Sequence, residues 1–355
     1  MAPAPQPAPR RALVIKLGHI GDVLVATPVV TALKEAWPQL AVDMVVNQGT
    51  EAMVAHNPLL NRVLVLRRGH ASRLAGVAWQ MGFLRQLRRA GYDLSLELSE
   101  GDRGAFLSWI SGARLRVGFR PKTPRLRGRA YNRLAPRWDD EHHMVQSFLR
   151  QVELLGIEPR DTRLKFEPGA QARGQAGDML AAAGIGRGSY ALVHPTSRWM
   201  FKSWTPQGYA ALINHLAGRG LPVVLTAGPE PKELALVEQV RSLLEPGAVA
   251  LDLAGKLDLL LLGGLIAGAR LFAGVDSAPM HMAAALGVPV LTIFGPSGER
   301  MWGPWQTPAE VLVGECPEHP CGRDGCGGSK VSQCLVDLPA AKVIAAADRL
   351  LAGTA

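Results

Sequence analysis

Aromatic side chains are sparse in this chain, 6 % of 355 residues. Its most basic stretch interleaves only Tyr131 and Trp138 among the cations. That is thin for the stacking platform that holds single-stranded nucleic acid. No Asp-x-Asp pair occurs, so the usual carboxylate clamp for a metal-bridged diphosphate is missing. The first glycine loop lacks the G-x-G-x-x-G fingerprint, and Val46 is followed by Asn47 and Gln48 where a dinucleotide site would place an acid. The most apolar stretch, Leu257 to Val275, is interrupted by Asp258 and Arg270 and crowded with glycine, so it reads as buried helix then strand rather than a membrane span. The opening MAPAPQPAPRR has no apolar core of the kind an export signal needs; residues 1–10 read as a disordered tail. The expectation is a cytoplasmic protein that meets a membrane only at its surface. Cysteine is confined to Cys316, Cys321, Cys326 and Cys334, spaced C-x4-C-x4-C-x7-C. This is not the tight C-x2-C pairing of common zinc sites. Reduced thiols in a packed loop are the default reading, with metal binding as the alternative.

What is present is a large apolar fraction, 48 %, and an uneven charge. Residues 1–165 hold 25 Lys and Arg against 14 Asp and Glu; the remainder holds 14 against 16. The first half should therefore meet something anionic. Nine cations and no acid lie between Arg114 and Arg137, in a segment that Pro121, Pro124, Gly128 and Pro136 mark as loop. A solvated surface is one reading; a phosphate site is the other, since the arginine fork matches phosphate. Strand-like runs at 41–46, 62–66, 92–98 and 115–119 alternate with helical patterns at 23–37, 71–90, 103–111 and 141–155, which argues for a parallel sheet covered by helices.

The organising stretch is Gly18-His19-Ile20-Gly21-Asp22, between the apolar run 12–17 and an amphipathic segment. Strand, glycine turn and helix follow from it. Asp22 falls in the first turn, where a carboxylate suits the free N–H groups and the dipole. It is either a cap or a carboxylate placed at the carboxyl edge of the sheet, where ligands bind in such folds.

The second half repeats the βα pattern. A strand at 190–195 leads to Thr196, Ser197 and Lys202, hydroxyls and an ammonium before a helix that opens at Pro206. That is a diphosphate site, or else Lys202 is a surface charge. Glu230 accepts from ribose hydroxyls or caps its helix. Asp276 and Ser277 cap the next helix and leave N–H groups for phosphate, and His281 follows one turn on.

Four stretches, VIKLGHIGDVLVATPVVTALK, HPTSRWMFKSW, AGPEPKE and FAGVDSAPMHMAAALGVPVLTIFGPS, stand in order across nearly the whole chain. Together they resemble the glycosyltransferase family 9 heptosyltransferases of lipopolysaccharide core assembly. His19 and the tail PCGRDGCGGSKVSQCLVDLP look most like the heptosyltransferase III branch, which adds a side-branch heptose to the inner core. The resemblance implies a GT-B architecture, α/β with two Rossmann-like domains whose parallel sheets face a central cleft. It implies an acceptor domain over 11–168, a donor domain over 169–338, and a C-terminal helix over 339–355 that packs back on the first domain. It also implies an ADP-heptose donor, an inverting reaction with neither metal nor cofactor, and Asp22 as the base. Thr196, Ser197, Lys202, Glu230, Asp276, Ser277 and Ala278 then hold the donor, with His281 near its phosphates and Lys202 aiding its departure. Gly18, His19, Gly21, Arg120, Lys122, Arg125 and Arg127 are assigned to the acceptor, the cations by charge alone. The partners expected are a phosphorylated lipopolysaccharide core and the anionic inner face of the inner membrane, with no nucleic acid, for a monomer. The alternatives are the same fold with another nucleotide-sugar or acceptor, or a non-catalytic basic protein that binds nucleotides or nucleic acid. The loop TSRWMFKSW is bulkier than in the pathway's first heptosyltransferase.

Overall fold

A computed structural model describes residues 8–67, 69, 72–121 and 126–353. The chain forms two compact units that divide between Phe166 and Glu167, two residues before the expected boundary. The reason is local. Glu167 accepts from the Gly169 amide and takes Arg173 in a two-point ion pair, so it belongs to the helix Ala170–Ala182 that opens the second unit.

The first unit is a six-stranded parallel sheet: β1 (Arg11–Lys16), β2 (Ala41–Asn47), β3 (Arg62–Leu66), β4 (Leu94–Glu97), β5 (Leu115–Phe119) and β6 (Arg133–Ala135), in the order β3-β2-β1-β4-β5-β6. Ala12 to Ile15 of β1 are fully buried, which is why the strand reads as a continuous apolar run. The helix expected over 23–37 is two helices, Ile20–Val25 and Thr27–Ala36. Pro28 has no N–H to offer the Leu24 carbonyl, and the Thr27 hydroxyl takes that carbonyl instead at 2.7 Å. At the amino edge of the sheet, buried Asp43 accepts from Asn61, Arg62, Arg11 and the Tyr92 hydroxyl, pinning β1, β2 and β3 together. The expected tail falls mostly on residues 1–7, outside the described residues.

The second unit repeats the plan with β7 (Ala191–His194), β8 (Val223–Leu225), β9 (Leu251–Asp252), β10 (Leu271–Val275), β11 (Val290–Phe294) and β12 (Ala309–Val313), all parallel, in the order β12-β11-β10-β7-β8-β9. Each sheet thus reverses its winding beside its first strand, at β1/β4 and at β7/β10. Such a reversal opens a crevice at the carboxyl ends of the strands.

The C-terminal helix runs Ala340–Gly353 and is part of the second unit. Its stripe Val343, Ala346, Ala347, Leu350 and Leu351 is buried in the same core as Tyr209, Leu212 and Leu216. Asp348 receives His215 and Arg219, and Arg349 pairs with Glu310 on β12. That spacing of apolar residues matches the groove beside the helix Pro206–Gly218, and the ion pairs fix its register. Among the described residues no helix is long and apolar enough to cross a membrane.

Candidate active site

The crevice of the first unit is built on β1 and β4. His19 is the N-cap of the helix Ile20–Val25, and its amide donates to Asp22 Oδ2 at 2.9 Å, closing a capping box. The His19 ring stands 3.6 Å from the same oxygen. Gly18 is obligatory here, because a Cβ at that position would lie 2.2 Å from Asp22 Oδ2. Burial opposes the charge on Asp22, but the His19 ring, the Lys16 ammonium and the His19 amide together outweigh it and hold the carboxyl at about 2. Asp22 is therefore a carboxylate at any physiological pH.

Beneath it lies a buried layer that motif reading missed. Lys16 closes β1 with its Nζ donating to the Leu98 carbonyl at 3.0 Å and standing 4.5 Å over the Phe148 ring. Burial lowers its pKa, while Asp22 and Glu97 push it up. Glu97 ends β4 fully buried. It accepts from the Ser99 and Glu100 amides and from the Tyr131 hydroxyl at 3.0 Å. Burial raises its pKa against those donors and Lys16. Gly104 makes room for it, since a Cβ there would fall 2.2 Å from Glu97 Oε1. A charge that closes a buried strand, as in both Lys16 and Glu97, was the available signal.

The basic segment is partly consumed by the fold. Arg114 pairs with Asp93, Arg116 donates to the Ala130 and Ala113 carbonyls, and Arg137 grips Glu100 at 2.7 and 3.1 Å. Arg120 is exposed just past the carboxyl end of β5. Lys122, Arg125 and the side chain of Arg127 lie outside the described residues.

The crevice of the second unit has the opposite furnishing. The short 3-10 turn Met200–Lys202 brings Lys202 to Asp276, which follows β10, with Nζ 2.5 Å from Oδ2. Ser297, after β11, donates to the same oxygen at 2.6 Å. Ser277 caps the helix Ala278–Ala285 by position, but its hydroxyl is buried with no hydrogen-bond partner among the described residues. Ala278 is the first residue of that helix. His281, one turn on, is buried with its ring centroid 6.5 Å from that of Trp302. Lys202, Asp276, Ser277 and Ala278 are thus brought together, and Ser297 joins them as a residue the motifs did not single out.

Thr196 and Glu230 are placed differently. The Thr196 hydroxyl is buried and donates to Glu233 Oε2 at 2.5 Å, and Glu233 also accepts from the Gly228 amide. Glu233 ties the loops after β7 and β8 together, so the Thr196 side chain serves the scaffold. Ser197 is buried, with its oxygen accepting from the Trp199 amide at 3.3 Å. Glu230 is exposed at the N-cap of the helix Pro231–Arg241 and makes no capping bond. His194 ends β7 beside Thr226, and burial holds its pKa down to about 4, so the ring is neutral. The four cysteines are free thiols. Burial and then the neighbouring cysteines raise the Cys334 pKa. Among the described residues no three His, Cys, Asp or Glu side chains are arranged to hold a metal ion.

Two Rossmann-like units, each with a polar crevice at its reversal point, make up this architecture. Residues 81–331 match the family model for glycosyltransferase family 9 (heptosyltransferase). The chain belongs to glycosyltransferase family 9. It is 32 % identical over 336 residues to a lipopolysaccharide heptosyltransferase 3 of Escherichia coli, covering 93 % of this chain and 96 % of that one. Among solved structures, the family 9 glycosyltransferase of Veillonella parvula superposes with a TM-score of 0.84 at 23 % identity, covering 97 % and 98 % of the two chains. The E. coli heptosyltransferase WaaC with ADP gives 0.72 at 22 %, covering 97 % and 100 %. This family 9 chain is accordingly a glycosyltransferase of the heptosyltransferase type.

Proposed function

We propose that the protein transfers heptose from ADP-heptose, with inversion, to the phosphorylated inner core of lipopolysaccharide, as a side branch, with Asp22 as the general base. The observation that carries this reading is the carboxylate held ionised at the β1/β4 reversal point. Its Oδ2 holds the His19 amide, which leaves Oδ1 for the acceptor. The acceptor hydroxyl oxygen forms its bond to the anomeric carbon as the bond from that carbon to the β-phosphate oxygen breaks. The hydroxyl proton passes to Asp22, and the electron pair departs with ADP. A carboxylate of low pKa is a weak base toward a resting alcohol. It becomes competent as the attacking oxygen loses electron density to the sugar and its proton acidifies.

The charge on departing ADP is met by Lys202, the Ser277 hydroxyl and the amides that open the helix Ala278–Ala285. Lys202 leaves Asp276 for the phosphate, and Ser297 keeps Asp276 satisfied. Glu230 takes the ribose hydroxyls. With an ammonium and helix amides for the diphosphate, turnover needs no metal and should survive EDTA. Arg120 with Lys122, Arg125 and Arg127 receives the phosphates of the core. The protein does this as a monomer in the cytoplasm, at the inner face of the inner membrane. Support for the side branch comes from the likeness to the E. coli heptosyltransferase 3 across nearly its whole length.

The test is the mass of the product from ADP-heptose and purified core-truncated lipopolysaccharides. A mass gain of one heptose only on an acceptor that already carries the inner heptoses supports the side-branch reading. Transfer to a heptose-free acceptor refutes it. A thermal-shift panel of ADP, UDP and GDP separates the donor readings, and stabilisation by UDP or GDP alone removes ADP.

A further inference from the structure

The helix Arg73–Arg89 is apolar on two opposite sides. Phe83 and Leu87 are buried against β1, β2 and β3. On the other side Leu74, Val77 and Met81, spaced i, i+3, i+7, are 82 %, 57 % and 46 % exposed. The same outward stripe continues into Arg85 and Arg88. The neighbouring helix Asp102–Ile110 packs on the same core through Leu107, with Ile110 against it, and turns Phe106 and Trp109 outward, 46 % and 56 % exposed. Arg103 shares that outward stripe. Ala130 and Tyr131 of the basic segment pack on Ala105 of this helix, so the exposed Arg129 borders it.

Five large apolar side chains turned to water on two adjoining helices are more than scatter. Charge says what covers them. No acid occurs between Glu51 and Asp93, and Asp102 is the single acid on the two helices. Glu100 is held by Arg137, and Asp93 by the Arg10 and Arg11 amides and Arg114. Position says the same. Both helices begin at the carboxyl edge of the sheet, after β3 and β4, so Leu74 and Phe106 stand at the edge that carries Asp22 and Arg120. The largest exposure, at Leu74, is in the first turn.

We propose that the outer faces of the helices Arg73–Arg89 and Asp102–Ile110 dock on an anionic lipid surface, with Leu74, Val77, Met81, Phe106 and Trp109 entering the headgroup layer and the flanking arginines meeting lipid phosphates. This rests on the lipid-anchored acceptor proposed above and deepens it by naming the surface. Apolar insertion flanked by cations is how a folded protein lies on a bilayer without spanning it. The docked face brings the reactive edge of the first unit to the plane where a lipid-anchored saccharide emerges.

The test is flotation of the full chain with vesicles of phosphatidylethanolamine and phosphatidylglycerol, against phosphatidylcholine alone, in the absence of any saccharide. The wild type should float with the anionic vesicles only, and added salt should weaken it. Leu74→Glu/Val77→Glu, and separately the milder Phe106→Ser/Trp109→Ser, should each lower vesicle affinity by about tenfold or more. Turnover on a deacylated, soluble core acceptor should stay at the wild-type level, which also certifies that the variants fold. A wild type that ignores the vesicles overturns the proposal, as do variants that float like the wild type. So does a concentration-dependent dimer that the same substitutions make monomeric, since the face then covers a second copy. Flotation as described with no transfer to any saccharide sustains the surface and refutes the heptosyl acceptor.

Discussion

The two units share one strand order and differ in what they place at its reversal point. In the first, a carboxylate is held ionised at the mouth by an N-cap amide, a histidine ring and an ammonium buried below it. In the second, an ammonium is parked on a carboxylate that a serine also holds. The topology supplies the crevice twice, and the side chains give one crevice a carboxylate and the other an ammonium–carboxylate pair. Both charges arrive paired. In the proposed reaction Asp22 keeps its partners, whereas Lys202 exchanges Asp276 for the phosphate.

Substitutions can break this contrast in order of effect. Asp22→Asn keeps the amide contact and removes the base; kcat should fall roughly 10²–10⁴-fold with ADP affinity unchanged, read by steady-state kinetics and calorimetry. Wild-type turnover would remove Asp22 from the chemistry. Lys202→Ala should weaken ADP binding and lower kcat by about 10²–10³-fold, the cost of one charge-stabilising donor. Unchanged ADP affinity would leave Lys202 a scaffold residue. Ser297→Ala leaves Asp276 with Lys202 alone, so ADP competes harder for the ammonium. About a tenfold loss of ADP affinity follows from the low end of the range for one hydrogen bond to a charged group, and tighter ADP binding would contradict the partner exchange. The smallest effect is His19→Ala. It removes one support of the depressed Asp22 pKa, which rises from about 2 toward the ordinary carboxylate value. The stabilisation that this low pKa supplies is complete above the unfolded carboxylate pKa and is lost as pH falls toward 2. The variant should therefore lose stability and activity at a higher acidic pH than the wild type, seen in pH–rate and pH–melting profiles. Superimposable profiles would show that the ring has no hold on the carboxylate.

The central strands and most of the helices were legible because burial on both faces or one face writes a plain apolar pattern. The strands β3 and β5 match their expected ranges to the residue. The edge strands β6 and β12 were not legible. Each is half-buried, and β6 lies inside the arginine-rich segment. The break at Ala26 was written in Pro28, but an amphipathic pattern that continues through a helix start hides it. In the site, glycine loops and strand-end polar residues pointed to Asp22, Lys202, Asp276 and Ser277. They did not show which hydroxyls the fold itself engages: Thr196 is taken by Glu233 and Ser197 by the Trp199 amide. Lys16 and Glu97 carried a fainter mark, a lone charge at the end of a buried strand, which belongs to no motif. The C-terminal helix showed its apolar stripe in the sequence but not which unit would receive it.

The close approach at Gly18 has a consequence for genetics. Nearly any side chain at position 18 collides with Asp22, so the two positions should behave as one heritable unit. A library that varies position 18 alone should return almost nothing active. The same library built on Asp22→Gly should return chains that fold freely and transfer nothing. Intolerance at a residue with no functional group of its own is then a record of the carboxylate beside it.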